Sequence, residues 1–376
     1  MRSLSRDLDT DVLVVGAGIS GALLAETLAR DHRVTVIDRR GVAKGSTAAS
    51  TALVEYEIDT PLTVLAHKIG TAKAERAWRR SALALRGLAE RTAFLGIRAD
   101  VRSHDTLYLA GNVLDARGLE AEAEARRAVG LETQTLSRSE LRSRYSIHRN
   151  GALLSHGDFS LDPRRLTIGY LRAAMKAGTA VYTGEVTEIE AHRNGIAAKT
   201  AAEPVVTAGH IVFATGYEVP KIVPPGGHRI ASTFAIATRT QPRHLWPGEA
   251  MIWEASEPYL YARTTPDGRV ICGGEDEDFA DEGARDRMIK RKAAAIARKL
   301  GRLFPTLDTT PEYAWAGSFG TTGTGLPLIG KVPGHNRIWA VLGFGGNGIT
   351  YSRIAADIIR AALSGRTDPD AELYEF

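Results

Sequence analysis

The residues best suited to chemistry are glycines with an acid behind them. Gly16-Ala17-Gly18-Ile19-Ser20-Gly21 has the spacing G-x-G-x-x-G, and Asp38 follows. In that spacing the first glycine allows a tight turn, the second leaves bare backbone for a pyrophosphate, and the third lets a helix pack closely on a strand. A helix beginning there presents free N–H groups and the positive end of its dipole to an anion. An acid about twenty residues on can accept from ribose hydroxyls. Arg39 and Arg40 would suit a ribose 2′-phosphate, but Asp38 would repel one. The set therefore predicts a dinucleotide, FAD or NAD in preference to NADP.

The surrounding residues predict the elements that hold this corner. Val12 to Val15 is a buried parallel strand by its apolar run. Ala22 to Arg30 is a helix with Leu23, Leu24, Thr27 and Leu28 inward. Val34 to Ile37 is a second strand ending at Asp38. The small-residue run Gly45 to Ala52, with Ser46, Thr47, Ser50 and Thr51, suits either a phosphate or flavin edge or plain helix capping. A second strand, glycine loop and helix closes the chain: Ile338 to Leu342, Gly343 to Thr350, then Tyr351 to Leu363. Within that loop Gly345, Gly346, Asn347, Gly348, Ile349 and Thr350 bring bare backbone to a helix start, suited to the pyrimidine oxygens of a flavin. His210 to Gly216 is a returning strand whose end, Thr215-Gly216, must sit close to the nucleotide.

Composition limits the alternatives. The chain has 376 residues, 44% hydrophobic and 24% charged, enough for two domains with sizeable cores. The net charge is +4 with scattered basic residues. Arg76, Arg79 and Arg80, and Arg285, Arg287, Lys290 and Arg291, suit solvated helix faces better than a nucleic-acid stripe. Cys272 is the one cysteine, which excludes an intrachain disulfide and a cysteine metal cluster. The histidines lack paired-ligand spacing, and no metal is expected. No apolar run reaches membrane-span length, and a cytoplasmic setting is expected.

The middle of the chain predicts a helix from Pro61 to about Leu95, a strand at Thr106 to Ala110, and helices over Asp115 to Val129 and Ser137 to Tyr145. Gly157 to Pro163 suits a loop in which Asp162 caps a helix running to Lys176. Ala180 to Ala208 suggests a small antiparallel appendage. Ile230 to Gly274 alternates as strands, and Tyr259, Tyr261 and Arg263 fall on one face by their period of two. Glu275 to Asp278 suits a solvated turn.

Taken together, these motifs resemble the FAD-dependent D-amino-acid oxidase superfamily, in particular its glycine oxidase, sarcosine oxidase and D-amino-acid dehydrogenase branch. The marks are Val15 to Gly21, Gly45-Ser46 through Thr51, Leu161-Asp162-Pro163 with its helix, Phe213-Ala214-Thr215-Gly216, Gly268 to Gly274, Gly325 to Gly330 and Gly343 to Gly348. The resemblance implies an α/β fold with a discontinuous Rossmann-like FAD domain (1–75, 150–225 and 315–376) and an antiparallel-sheet substrate domain (76–149 and 226–314). It implies hydride transfer from a C–N bond to flavin N5, giving an imine. It also implies non-covalent FAD held by Gly16, Gly18, Ile19, Ser20, Asp38, Arg39, Arg40, Ser46, Thr47, Ser50, Thr51, Val186, Thr215, Gly216 and Gly345 to Thr350.

The departures bear on the substrate, expected to be a small amine or amino acid. Where relatives carry a carboxylate-gripping arginine, this chain has Phe319; where others carry one after the threonine matching Thr51, it has Glu55; where they carry a lysine, it has Thr350. Either the carboxylate moves, with Arg263 as its partner, or the key group is a cation near Glu55. Tyr56, Trp253, Tyr259 and Tyr261 suit an amine-binding cage. The lysine that sarcosine oxidases use toward oxygen is missing, which favours a dehydrogenase with an unidentified electron acceptor. The alternatives are a flavin hydroxylase, an NAD-linked dehydrogenase or a non-catalytic flavin protein.

Overall fold

The computed structural model describes residues 2–193, 195–224 and 226–376. Among these residues the strands form two sheets of nine strands each. The first is built around Leu8–Val15, which pairs in parallel with Val34–Asp38 on one side and Val205–Phe213 on the other. Ala180–Thr183 extends the first side and Ile338–Leu342 the second, both in parallel. The apolar runs Val12–Val15 and Ile338–Leu342 follow from this position, because strands covered on both faces need no polar alternation.

Helix Ile19–Leu28 is buried along its whole length. Its expected inward stripe is therefore only part of its buried surface. Helices Pro163–Lys176 and Gly348–Leu363 flank it over the sheet. Leu23, Leu24 and Leu28 are fully enclosed, each contributing roughly 1.5–3 kcal/mol by leaving water. Helix Thr71–Phe94 packs on Gly348–Leu363 in turn, through the same core.

The second sheet runs Pro311–Thr322, His228–Thr238, Val270–Glu277, Leu260–Thr264, Met251–Glu254, Arg102–Leu109, Gly151–Ser160 and Leu53–Val54, with Thr133–Ser137 also on Gly151–Ser160. Met251–Glu254 joins Arg102–Leu109 in parallel and the other pairs are antiparallel. One face packs on helix Glu282–Leu303, and the other faces the first sheet's glycine corners across a cavity.

Several expectations change in detail. The stretch from Pro61 is two helices, Leu62–Ile69 and Thr71–Phe94, separated at Gly70. The loop expected from Gly157 is instead the end of strand Gly151–Ser160, in the second sheet rather than the first. The supposed appendage is divided. Ala180–Thr183 belongs to the parallel sheet, while Val186–His192 and Gly195–Thr200 form an antiparallel extension on Val205–Phe213. That last strand is continuous across Ala208 and His210, which the sequence separates only by Gly209.

Candidate active site

The cavity between the sheets is about 1830 Å³. Both glycine corners line it: Gly16, Gly18, Ile19 and Ser20 from the first, and Gly345 to Thr350 from the second. Asp38, Arg39, Arg40, Ser46, Thr47, Ser50, Thr51, Val186, Thr215 and Gly216 complete that wall. The corners are joined directly, since Ser20 Oγ and Ser352 Oγ share a hydrogen bond of 2.8 Å.

The first corner fits a dinucleotide by its sterics. Gly16 has φ +115°, and a Cβ there would lie 2.3 Å from the Ala214 carbonyl oxygen. A Cβ on Gly21 would lie 1.9 Å from the Gly16 oxygen, so helix and turn are in direct backbone contact. Thr47 Oγ1 accepts from the Ile19 N–H at 3.0 Å and ties the small-residue run to the helix start. Asp38 has a structural task beyond the one expected of it. Its Oδ2 accepts from the Ala17 N–H at 2.8 Å, and its Oδ1 from the Arg40 and Gly41 N–H groups at 2.8 and 2.7 Å. Arg39 pairs with Glu185 at 3.0 Å and with Glu218, and Arg40 pairs with Glu218. These ion pairs engage the two arginines at the rim, in keeping with a nucleotide lacking a 2′-phosphate.

The second corner is tied to the segment after Thr51. Thr350 Oγ1 donates to the Glu55 carbonyl at 2.9 Å, and Asn347 Nδ2 donates to the Glu57 carbonyl at 2.6 Å. The Gly346 N–H donates to Asp59 at 2.7 Å. Asp59 lines the cavity beside helix Gly348–Leu363, deep enough that desolvation pushes its carboxyl up to about 6.

Arg263 is elsewhere. Its Nε donates to the Thr51 carbonyl and its Nη1 to the Thr264 carbonyl at 3.0 Å. It is buried and does not line the cavity, and desolvation lowers its pKa to about 10. Period two carries Tyr259 and Tyr261 into the cavity, but Arg263 reaches beneath the Ser46–Thr51 run. Trp315 supports the same run by donating to the Ala49 carbonyl at 2.9 Å.

Tyr56 also departs from expectation. It packs edge-on against Trp78 in the main core, with ring centroids 6.4 Å apart, and is not part of the cavity wall. Glu57 points inward as well, pairing with the fully buried Arg126 at 3.4 Å, while Glu122 meets the same guanidinium at 2.9 Å. Glu55 lines the cavity instead, and its Oε1 has no hydrogen-bond partner. Burial, with Glu57 and Asp59 nearby, holds its carboxyl well above the usual range.

The wall over the corners is aromatic and acidic. Trp253 stacks on Tyr108 at 3.8 Å, and Tyr259 on Tyr261 at 6.0 Å. Phe319 lines the same cavity. The sequence reading missed Asp276, which it assigned to a solvated turn. The pairing of His228–Thr238 with Val270–Glu277 shifts register between Ser232 and Phe234, and Gly274 adopts φ +132° there. A Cβ at Gly274 would lie 2.3 Å from the Tyr259 carbonyl. This bulge turns Asp276 to the cavity, where its Oδ2 accepts from the Tyr259 hydroxyl at 2.6 Å. Glycine in an alternating strand was the available signal. Among the described residues no cluster of potential metal ligands occurs, and no helix is long and apolar enough to cross a membrane.

Comparison with known proteins agrees with this geometry. The family model for FAD dependent oxidoreductases, DAO, matches residues 11–362. This chain belongs to that family. It is 24% identical to a glycine oxidase from Geobacillus kaustophilus (strain HTA426), covering 97% of this chain and 96% of the relative. The solved glycine oxidase from G. kaustophilus superposes with a TM-score of 0.78 at 19% identity, covering 96% of each chain. L-proline dehydrogenase from P. horikoshii superposes with a TM-score of 0.80, also at 19% identity, covering 98% of this chain and 97% of its own. The cofactor of this family is FAD, and the two-corner cavity has the bare backbone and helix starts to hold it. Cys272 is buried in the second sheet's core, away from that cavity.

Proposed function

We propose that this protein oxidises a C–N bond of an amine or amino acid. The observation that carries the reading is the continuity of one cavity, from the two glycine corners to a wall of aromatic and carboxyl side chains. FAD supplies the hydride acceptor. The substrate carbon gives up a hydride, its nitrogen gives up a proton, and the resulting imine hydrolyses to a carbonyl compound and a released amine or ammonia.

The chain's own residues divide the remaining work. An amine gives up hydride as the free base, so its ammonium form must first lose a proton. Glu55 is the candidate acceptor, because it lines the cavity and its Oε1 has no hydrogen-bond partner. The ring faces of Tyr261, Tyr259 and Phe319 form an aromatic wall that limits water beside the reacting carbon. Arg263 is assigned a positioning role, holding Thr51, rather than contact with a substrate carboxylate.

A dehydrogenase is favoured over an oxidase. Strand Val270–Glu277 carries no lysine in its sequence, so it offers no cation to draw oxygen toward the cofactor. Anaerobic addition of amines and amino acids to the flavin-loaded protein should bleach its blue absorbance, and an artificial acceptor dye should restore it faster than air. Protein that remains oxidised across a broad panel contradicts the amine reading. Faster recovery in air contradicts the dehydrogenase assignment.

A further inference from the structure

The acids around the bulge have contrasting partners. Glu277 meets Lys292 at 2.7 Å, and Glu275 meets Lys292 at 3.6 Å and also Lys299, all from helix Glu282–Leu303 on the sheet's outer face. Asp276, between them, faces the cavity and has no lysine or arginine partner among the described ion pairs. Tyr259 occupies its Oδ2, while its Oδ1 is buried without a hydrogen-bond partner. Burying a carboxylate in this state is costly unless a cation meets it.

The cations along the cavity wall are engaged elsewhere or, like Lys44 and Lys221, stand exposed at its edge. Arg229 pairs with Asp278 at 3.4 Å. Arg285 donates to Ser318 at 2.8 Å and pairs with Asp286 at 3.0 Å. Lys68 donates to the Gly323 carbonyl at 3.0 Å. Arg263, the cation on the Tyr259–Tyr261 strand, is turned to Thr51. The inner wall thus combines Asp276 and Glu55 with aromatic faces that themselves favour cations. A substrate carboxylate would meet acids there and no free guanidinium.

We infer that Asp276, with Tyr259, forms a subsite for a substrate ammonium distinct from the nitrogen that is oxidised. A nitrogen held as a cation by Asp276 is not the free base that reacts, so two nitrogens are required. The substrate class is a carboxylate-free aliphatic diamine or longer polyamine. Asp276 takes one end, and the other end lies toward Glu55 and the cofactor corners. This inference rests on the amine reading of the site above, and it adds a binding claim that can be read without turnover.

The test uses flavin-loaded protein and 1,4-diaminobutane, with n-butylamine and glycine as comparison ligands. Equilibrium binding is read from the flavin bands and tryptophan emission, and anaerobic bleaching is read separately. Wild type should bind the diamine roughly tenfold or more tightly than n-butylamine, equivalent to about 1.4 kcal/mol. In Asp276→Asn that ratio should fall to near parity. Tyr259→Phe removes the hydroxyl that holds Asp276 and should reduce the preference severalfold; it serves if Asp276→Asn loses its flavin, and an unchanged preference there overturns the subsite. Diamine binding that depends on Asp276 upholds the subsite, and if the flavin also stays oxidised across the broad amine and amino-acid panel it overturns the redox reading. Bleaching by glycine with no diamine preference overturns the subsite and leaves the redox reading standing. A diamine preference that survives Asp276→Asn also overturns the subsite.

Discussion

The hydroxyls of Ser20 and Ser352 lie 2.8 Å apart, Oγ to Oγ, although 332 residues separate them in the chain. Each sits just inside a helix that begins at a glycine corner. Ser352 is further fixed by donating to the Gly348 carbonyl at 2.6 Å. Two segments far apart in the chain thus meet as one buried seam beside the cavity. Replacing Ser352 with alanine leaves Ser20 buried without that partner. It should cost about 1–2 kcal/mol, read as a lower thermal midpoint, and should weaken FAD retention. Unchanged stability and retention would show that the seam does not couple the corners.

Arg263 should behave as a support for the Ser46–Thr51 run. Arg263→Met removes the donors to the partly buried Thr51 carbonyl and the buried Thr264 carbonyl. A loss of about 1–3 kcal/mol is expected, with faster FAD dissociation. The relative preference among amines and amino acids should not change. A selective rise in KM for carboxylate-bearing substrates would instead make Arg263 a substrate ligand.

The buried Arg126 joins Glu57 and Glu122, with its guanidinium 4.4 Å from the Trp78 ring. Arg126→Met leaves two buried carboxylates without their cation, Glu57 the more exposed to the loss because Glu122 still accepts from the Leu62 and Thr63 N–H groups at 2.8 and 2.9 Å. Removing one member of such a pair costs about 3–5 kcal/mol. Chemical denaturation should show that loss, and additional Glu57→Gln and Glu122→Gln substitutions should recover part of it. A single variant as stable as wild type would contradict the assignment.

Asp59 gives a pH dependence with a definite sign. Its carboxyl is raised to about 6 by burial, against a usual value near 4. Between those values the folded protein holds a proton that the unfolded chain has lost. Stability therefore falls as pH rises through that window and levels off above it. For flavin-free protein, the thermal midpoint of Asp59→Asn should fall less over the same range than that of wild type. Superimposable profiles would remove Asp59 from this role.

The sequence was informative wherever local chemistry decides the outcome. Gly16, Gly18, Ile19, Ser20, Asp38 and the Gly345 to Thr350 loop needed only strand, turn and helix spacing to be read as one group, and they line one cavity. Asp162 caps its helix as its position before Pro163 suggests, accepting from the Arg164 and Arg165 N–H groups at 2.9 and 3.0 Å. Non-local register was not legible. Asp276 reaches the cavity only because two distant strands pair with a bulge. Arg263 leaves it because the Thr51 carbonyl, supplied from another segment, lies within reach. Tyr56 and Glu55 are adjacent in sequence yet divide between core and cavity, a choice made by Trp78 and by the bond from Thr350 to the Glu55 carbonyl.

The most direct measurement is titration of flavin-stripped protein with FAD, in wild type and in one variant at each corner. Gly18→Val adds bulk beside Thr47, where a Cβ would already lie 3.1 Å from Oγ1. Gly346→Val adds bulk beside Asp59, where a Cβ would lie 2.8 Å from Oδ1. The account predicts one FAD per chain in wild type, with affinity reduced at least tenfold by either substitution in protein that remains folded by circular dichroism. Full affinity in Gly346→Val, or a second FAD per chain, would contradict a single cofactor held by both ends of the sequence.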